Sequence, residues 1–478
     1  MNPIVKWKQM PDSVKSSIAF AISTFILRGI SFLTTPIFTR IMDQTQYGLM
    51  ATYNSWLSIL EVFAVIGLTS AGVFNSGLNE YRDDRDKYIF SVLTLCNIAT
   101  ILVFGIVFFI KIVFLPDFII ENNLLLLMFI HFLFYPAQIF WVTRQRYEYK
   151  YKLATAVTIG STLLSQIFAV IAVLNSSSNQ GTVKLWSNEI GWIIFAIPLY
   201  VYLLHKGWNK ENGEKWKKIL IFAIPLIPHY LAQHVMSGAD RIMISDMVSQ
   251  ADAGIYNVVA NISMISVIFW NAINASLIPY TYEKVNNKDY RPLNAVIKLL
   301  LVGYGVICVG IVLIAPEVLK ILAPEEYFGG IYAVPPIASV AFLTALYNIY
   351  ANIEFYHKKS TYIATATVVA ACINIGLNAL LIPRFSYTGA AYTTLASNII
   401  LLLMHYRGYK KTSVGKIYND ISFIKITIVV LCASLMCSFL YFNNMVRYFF
   451  ICASVIILVI KRREIIGRIK NIKSELKK

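Results

Sequence analysis

Arg28 is the side chain with the clearest chemical potential, because it lies near the middle of a long apolar stretch. A mid-membrane arginine costs roughly 2.5–3.5 kcal/mol on insertion scales, and such residues usually have a functional task. Thr24 lies four residues before Arg28, and Ser31 and Thr35 lie three and seven residues after it, so all three share its helical face. This polar stripe predicts the wall of a hydrated cavity in which the guanidinium can hold an anion. A structural ion pair with Glu61 is the alternative.

Other charged residues also interrupt the apolar stretches. Glu61 is interpreted either as the site of a coupling proton or as the partner that neutralises Arg28. Lys298, Glu354 and Lys425 lie one or two turns from the ends of their stretches and are candidates for coupling or charge. Snorkelling to the interface explains the two lysines, and the lining of a vestibule is the alternative.

The seventh and eighth apolar stretches carry further polar candidates. His229 and Gln233 share one helical face, and Asn257 and Asn261 lie in the next stretch. We interpret these side chains as cavity residues that bind polar groups of a substrate, with hydrogen bonding between helices as the alternative for the asparagines.

The sequence predicts no catalytic residues, metal site or cofactor. His229 and His234 diverge around a helix, and the six cysteines fall inside apolar runs without a CxxC pair. Neither a GxxxxGK[ST] phosphate loop nor an HExxH motif occurs. The chain is therefore predicted not to be an enzyme.

The elements that position these residues are predicted to be membrane-spanning helices. Of the 478 residues, 57% are hydrophobic and 14% charged, and a span needs roughly 20 mostly apolar residues. The pattern indicates an all-α membrane protein with about 14 transmembrane helices. Their predicted ranges are 15–39, 48–74, 88–114, 119–142, 151–174, 186–205, 217–238, 253–281, 293–315, 331–356, 360–383, 389–406, 421–440 and 446–460.

Lys and Arg residues alternate between the predicted connections. Of 42 such residues, 32 fall in or within four residues of alternate connections and the tails, one falls in or within four residues of each of the seven other connections, and three lie deeper within spans. Because basic residues accumulate in cytoplasmic loops, both termini are predicted to be cytoplasmic. The net charge of +17 is then a topology signal that faces anionic lipid, and it does not indicate nucleic-acid binding.

An internal repeat relates the two halves. The first span ends in Thr39–Met42 (Thr-Arg-Ile-Met), and Gly48 opens the second; the seventh ends in Asp240–Met243 (Asp-Arg-Ile-Met), and Gly254 opens the eighth. We assign Arg40, Gly48, Asp240, Arg241 and Gly254 to this structural motif, with an Asp240–Arg241 pairing that fixes the hairpin. The repeat predicts two pseudo-symmetric six-helix bundles plus two C-terminal helices. The boundaries are 1–205 and 219–406 for the lobes, 206–218 for a cytoplasmic linker, 407–460 for the last two spans, and 461–478 for a basic cytoplasmic tail.

Three segments resemble polysaccharide-export flippases of the Wzx type. They are Pro36–Arg40 with Tyr47-Gly48, Asp240–Met243 with Ala253–Tyr256, and the run from Asn374 through Asn378 and Ile382–Arg384 to Gly389–Thr394. Ser386 stands where the family pattern has a glycine. This family shares a superfamily, called MOP, with lipid II flippases and MATE multidrug exporters.

The resemblance implies a MATE-like alternating-access fold and a substrate. That substrate is an oligosaccharide on undecaprenyl pyrophosphate, such as an O-antigen, capsule or exopolysaccharide repeat unit. It moves from the inner to the outer leaflet of the bacterial cytoplasmic membrane, and a proton or sodium gradient is a candidate for coupling. A polysaccharide polymerase and other pathway membrane proteins are candidate partners. The alternatives are a MATE-like exporter of cationic drugs and a membrane glycosyltransferase or polymerase of the same pathway.

Overall fold

The computed structural model describes residues 11–69, 72–114, 120–209, 212–412 and 416–475. Residues 1–10, with the predicted cytoplasmic N-terminus, and residues 476–478 of the predicted tail lie outside the described residues. The described residues form helices and connecting turns, and no strand occurs among them. Helices are the expected solution in a membrane, because each helix satisfies its own backbone hydrogen bonds. The chain divides into two compact units between Gly254 and Ile255.

The first unit contains nine helices within the described residues and the beginning of a tenth. They are α1 Asp12–Ile41, α2 Gln44–Ala64, α3 Gly72–Glu80, α4 Arg85–Val113, α5 Asn122–Tyr147, α6 Tyr151–Leu174, α7 Gln180–Gly207, α8 Gly213–Ala223 and α9 Ile227–Met247. Helix α2 packs along α9, and α6 packs along α7. Buried aromatic side chains such as Phe74, Tyr88 and Phe140 stack in its interior.

The second unit begins inside helix α10. Its helices are the remainder of α10 Gln250–Asn286, then α11 Tyr290–Leu322, α12 Val334–Tyr356, α13 Ser360–Thr412, α14 Asp420–Met436 and α15 Asn444–Glu475. The closest packing is between α12 and α13. Trp270, Tyr304, Phe342 and Tyr350 belong to one buried apolar cluster in this unit.

Each predicted span overlaps a helix among the described residues, but the second, 48–74, extends past α2, which ends at Ala64, and the count of fourteen crossings is not established. Eleven helices among the described residues are long and apolar enough to cross a membrane. One of these is α13, which covers the eleventh and twelfth predicted spans and breaks at Ser386. Helices α2 and α15 match the second and fourteenth predicted spans and are not among the eleven. The all-α membrane class is therefore confirmed.

The two glycines of the repeat motif meet each other in the first unit. A Cβ atom added to Gly48 would lie 1.7 Å from the Gln250 carbonyl oxygen and 3.0 Å from the Gly254 nitrogen. A Cβ atom on Gly254 would lie 2.6 Å from the Gln44 carbonyl oxygen. Only glycine permits this backbone contact. The motif therefore marks the place where the two hairpins touch.

The motif arginines also adopt equivalent conformations. Arg40 donates a hydrogen bond to the Pro36 carbonyl oxygen four residues earlier, at 2.9 Å. Arg241 donates in the same way to the Ser237 carbonyl oxygen at 2.6 Å. The adjacent Asp240 is buried. The two copies of the sequence repeat therefore share the same side-chain conformation at the motif arginine.

Helix α13 is two helices joined at Ser386. Ser386 has φ 48° and ψ −137°, a conformation that favours glycine. Polar side chains join the helix before Ser386 to the helix after it. Asn374 donates from Nδ2 to the Thr394 and Ser397 hydroxyls at 3.2 and 3.3 Å, and Thr393 donates to Asn378. Several residues of the third resemblance segment therefore form a buried hydrogen-bond network.

Candidate functional site

A cavity of about 750 Å³ opens in the first unit at the junction of α3, α4 and α5. Three arginines, Arg82, Arg85 and Arg146, contribute to its wall. The remaining lining residues are Leu68, Thr69, Gly72, Phe74, Asn75, Ile139, Phe140, Thr143, Tyr147 and Tyr149. The site therefore combines positive charge with hydroxyl, amide and aromatic groups.

Two of the three arginines have guanidinium groups without a carboxylate partner among the described residues. Arg82 donates from Nε and Nη2 to the neutral Asn79 amide oxygen at 3.3 and 3.1 Å. Arg146 lies with its guanidinium carbon 4.7 Å from the centre of the Phe20 ring, and both arginine side chains are exposed. Their charges and several N–H donors are therefore available to an anion.

Arg85 belongs to a network at the edge of the cavity. Its Nε donates to the Leu78 carbonyl oxygen at 3.1 Å, and its Nη1 lies 3.5 Å from Glu148 Oε1. Glu148 also accepts from Arg144 at 2.9 Å and from Lys150 at 2.6 Å. These contacts fix the end of α5 against the start of α4 and leave Glu148 fully matched by positive charge.

The pKa of Glu148 reflects this surplus of donors. Partial burial opposes its ionisation, but hydrogen bonds from Lys150 and Arg144 outweigh burial and lower the pKa to about 2. Asp86, the other nearby acid, pairs with Arg144 and lies 3.6 Å from Lys206 Nζ. Because both acids are matched by basic residues, Arg82 and Arg146 give the cavity a positive bias.

Arginine guanidinium groups suit oxyanions, since planar N–H pairs match the geometry of phosphate or carboxylate oxygens. The Asn75 and Thr143 side chains add neutral polar groups, and the Tyr147 and Tyr149 rings add aromatic surface. Such a wall can hold a phosphorylated headgroup together with part of an attached sugar.

The predicted Arg28 stripe lies on α1 of the same unit. Arg28, Thr24 and Ser31 are exposed on the surface of this unit, and Thr35 is buried. The hydroxyl groups of Thr24, Ser31 and Thr35 donate to the carbonyl oxygens of Phe20, Leu27 and Ser31. Their role in a cavity wall stays a prediction.

Glu61 contacts residues other than Arg28. The Thr69 hydroxyl donates to Glu61 Oε1 at 2.7 Å, and the carboxylate also lies beside the Tyr135 hydroxyl. Among the described residues, Arg28 forms no ion pair. The alternative of an Arg28–Glu61 pair is therefore absent in this conformation.

The other predicted cavity residues fall into both units. His229 is half-buried and Gln233 exposed on α9 of the first unit. Asn257 and Asn261 are half-buried on α10 in the second unit. Their contact with a substrate stays a prediction.

The charged candidates of the second unit differ in environment. Lys298 and Lys425 are exposed, and Lys425 lies on an apolar groove of about 760 Å³ lined by aliphatic side chains of α11 and α14. Glu354 is fully buried and contacts His405, with 2.6 Å between Glu354 Oε2 and His405 Nδ1. Glu354 thus has a specific partner, which the sequence did not indicate.

A related pair occurs in the first unit. His131 Nδ1 lies 2.9 Å from Glu189 Oε2, and the His131 ring stacks on Tyr135 with 4.7 Å between ring centres. Histidine and glutamate within apolar stretches were the available signal for both pairs. Arg82, Arg85 and Arg146 belong to the 32 basic residues counted as a topology signal, and sequence reasoning missed their shared cavity.

Comparison with known proteins gives the family context. Residues 13–284 match the family described as "Polysaccharide biosynthesis protein". The Lsg locus putative protein 1 of Haemophilus influenzae is 23% identical over 406 residues, covering 81% of this chain and 96% of the relative. The probable low-salt glycan biosynthesis flippase Agl15 of Haloferax volcanii is 20% identical over 406 residues, covering 82% and 83%.

Two solved structures show the fold. The lipid II flippase MurJ in an inward closed conformation matches with a TM-score of 0.64 at 14% identity, covering 94% of this chain and 100% of that one. An inward-facing MATE multidrug resistance transporter of the MOP superfamily matches with a TM-score of 0.60 at 12% identity, covering 84% and 100%. The predicted MATE-like fold is confirmed.

Proposed function

Because the chain belongs to the polysaccharide biosynthesis protein family, we propose that it is a flippase for a lipid-linked oligosaccharide. It is a multi-pass membrane transporter rather than an enzyme, in keeping with its family and its MOP-type fold. The substrate is an oligosaccharide on a polyprenyl pyrophosphate, which passes from the inner to the outer leaflet of a bacterial cytoplasmic membrane. The relative named as a glycan biosynthesis flippase supports this assignment.

The arginine-lined cavity is the observation that carries the proposal. A pyrophosphate stripped of water would cost far too much free energy in hydrocarbon, so a carrier must replace its hydration with fixed donors. Arg82 and Arg146 supply cationic donors that no carboxylate of the described chain neutralises. In the proposed topology this cavity lies at the cytoplasmic end, where the substrate is made.

Alternating access of the two lobes is the proposed mechanism. The lipid-linked headgroup binds from the cytoplasmic side, the polyprenyl chain stays in lipid, and reorientation exposes the headgroup to the other leaflet. Coupling to a proton or sodium gradient is part of the proposal, with Glu61 as a candidate in the first unit. The two termini are proposed to lie in the cytoplasm.

Purified protein in vesicles tests the cavity assignment. A fluorescent polyprenyl-pyrophosphate oligosaccharide is placed in the membrane, and a membrane-impermeant quencher reports the rate of its transfer between leaflets. Each of Arg82→Ala and Arg146→Ala should weaken substrate binding roughly ten- to hundredfold, since a charge-assisted hydrogen bond contributes about 1.5–3 kcal/mol.

Arg291→Ala is the matched control, because Arg291 is an exposed arginine at the start of α11 and does not line the cavity. The control should retain the wild-type rate. If the Arg82/Arg146 double variant bound and moved substrate normally, the cavity would not hold the pyrophosphate. Drug efflux without lipid transfer would favour a MATE-like exporter, and sugar transfer by the purified protein would favour an enzyme.

Arg28 is tested in cells that lack the wild-type gene. Arg28→Ala is expected to abolish surface polysaccharide while the protein still inserts, and Arg28→Lys should retain part of the export because it keeps the positive charge. Immunoblots of membranes and surface polysaccharide establish the two readings. Normal polysaccharide in the alanine variant would remove Arg28 from the binding site.

A further inference from the structure

Glu354 and His405 form a buried acid–base pair in the second unit. Their side chains are 0% and 2% exposed, and 2.6 Å separates Glu354 Oε2 from His405 Nδ1. The other carboxylate oxygen, Oε1, is buried without a hydrogen-bond partner among the described residues. Buried polar atoms are normally satisfied, so this oxygen marks a place where a proton or donor is missing.

The pair is held in a fixed geometry. The Tyr347 ring stacks on the His405 ring with 5.3 Å between ring centres and 15° between planes. Gly408 allows α13 to approach closely, since a Cβ atom there would lie 1.9 Å from Glu354 Oε1. Orientation and distance are therefore set by the packing of α12 against α13.

The charge of this pair changes by one when it binds a proton. If neutral His405 donates its Nδ1 hydrogen to the Glu354 carboxylate, the pair carries one negative charge inside the unit. A proton on Glu354 Oε1 or on His405 Nε2 makes the pair neutral overall. Because burial disfavours net charge, proton binding here is linked to how well the surroundings are hydrated.

We infer that Glu354 and His405 form a proton-binding site, which takes up a proton in one conformation and releases it in another. Its role in driving substrate movement rests on the proposed function, whereas proton binding itself does not. The site lies near helix ends, since α12 ends at Tyr356 and α13 at Thr412.

Among the described residues, the ion pair of Glu354 is the one with His405. Tyr362 of α13 interacts electrostatically with both Glu354 and Arg407. From α14, Asp420 is paired with Lys410 at 2.5 Å, and α11 contributes aliphatic side chains such as Ile297 to the same cluster. Tyr347 of α12 contacts the histidine ring.

The first unit holds a counterpart with the residue types exchanged. His131 lies on the fourth predicted span and Glu189 on the sixth, whereas Glu354 lies on the tenth and His405 on the twelfth. In both pairs the histidine Nδ1 contacts Oε2, and Oε1 is buried without a partner in the described chain. Equivalent spans of the two predicted bundles therefore carry the same acid–base chemistry.

A proton fits this site better than a metal ion does. Hard cations take several oxygen ligands, and within the described ranges no group of three or more His, Cys, Asp or Glu residues is arranged to hold a metal. A histidine nitrogen beside a carboxylate instead offers two groups that can each bind a proton.

Infrared difference spectroscopy of the full-length protein in lipid tests proton binding without any substrate. Acidification in small pH steps should produce the carbonyl band of a protonated carboxyl group. This band should be lost in Glu354→Gln, and its midpoint should move to higher pH in His405→Gln, because glutamine cannot become cationic beside the carboxylate as a protonated imidazole can. His357→Gln, an exposed histidine three residues from Glu354, is the matched control and should leave the band unchanged.

Size-exclusion profiles and helical circular dichroism establish that each variant is folded. If Glu354→Gln does not fold, Glu354→Asp keeps the acid and should move the midpoint instead. An unchanged band and midpoint in the folded glutamate variant would overturn the inference. A sodium step at constant pH should leave the spectrum unchanged, and a matching response to sodium would also overturn it.

The coupling role is measured separately in vesicles. A pH difference across the membrane should accelerate flipping by wild-type protein, and this acceleration should be lost in Glu354→Gln and His405→Gln. Failure of the wild-type protein to flip any lipid would refute the proposed function and leave the infrared result to decide the site. Retained acceleration in both folded variants would refute coupling through this pair.

Discussion

Replacing Ser386 with glycine is expected to stabilise the second unit. Ser386 has φ 48° and ψ −137°, and a non-glycine residue held in a sparsely populated region costs about 1–3 kcal/mol. Its hydroxyl oxygen is also buried without a partner in the described chain, which adds a penalty of about 1–3 kcal/mol. Glycine removes both costs.

One opposing effect reduces this gain. Glycine has more freedom in the unfolded chain, which costs about 0.4–1 kcal/mol relative to alanine. The net stabilisation is therefore on the order of 1–5 kcal/mol. Ser386→Ala removes only the hydroxyl group and keeps the strained backbone, so its gain should be smaller than that of glycine.

Thermal unfolding in detergent, followed by loss of the monodisperse peak, gives the order of stability. We expect glycine above alanine, and alanine at or above the wild-type serine. Ser276→Gly is the control, because Ser276 is exposed within helix α10, where glycine costs about 0.5–1 kcal/mol relative to alanine. A glycine variant no more stable than the alanine variant would refute the assignment of backbone strain to Ser386.

Two further predictions concern the first unit. Glu148 contributes stability that is complete above its ordinary pKa of 4.5 and is lost as the pH falls towards about 2; Glu148→Gln should remove this acid-dependent part, and unfolding midpoints compared at pH 3 and pH 7 would detect it. An equal acid sensitivity in both proteins would contradict that prediction. Gly48→Ala should prevent normal folding, because the added Cβ atom would lie 1.7 Å from the Gln250 carbonyl oxygen. Gly303→Ala is the control and should fold normally, because a Cβ atom there has no other atom within 4 Å. Membrane yield and monodispersity distinguish the two, and similar behaviour would disprove the close contact.

The helices and the repeat motif could be predicted because their signals are local. Apolar length identifies a span, and the paired Gly48 and Gly254 occur at equivalent ends of two hairpins. Their direct contact could not be predicted, because it depends on how the hairpins pack. Ser386 was recognised as a departure from the family pattern, and its positive φ supplies the physical meaning of that departure.

The acid–base pairs and the cavity depend on helix rotation, which apolar length does not specify. His131 and Glu189 are 58 residues apart, and Glu354 and His405 are 51 apart. Each residue alone was visible in an apolar stretch, but its partner was set by tertiary packing. Arg82 and Arg146 also lie in connections predicted to be cytoplasmic, and the accumulation of basic residues in such connections already accounts for their charge.

The internal hydrogen bonds of α1 determine which chemistry its polar face can offer. Thr24 and Ser31 give their hydroxyl hydrogens to carbonyl oxygens of their own helix, which leaves lone pairs directed outward. These groups can therefore accept hydrogen bonds from sugar hydroxyls but cannot donate to phosphate oxygens while this arrangement lasts. Arg28 is then the sole donor among the exposed members of that stripe. On this helix face, Arg28 can therefore donate hydrogen bonds to phosphate oxygens, whereas Thr24 and Ser31 can accept hydrogen bonds from sugar hydroxyls.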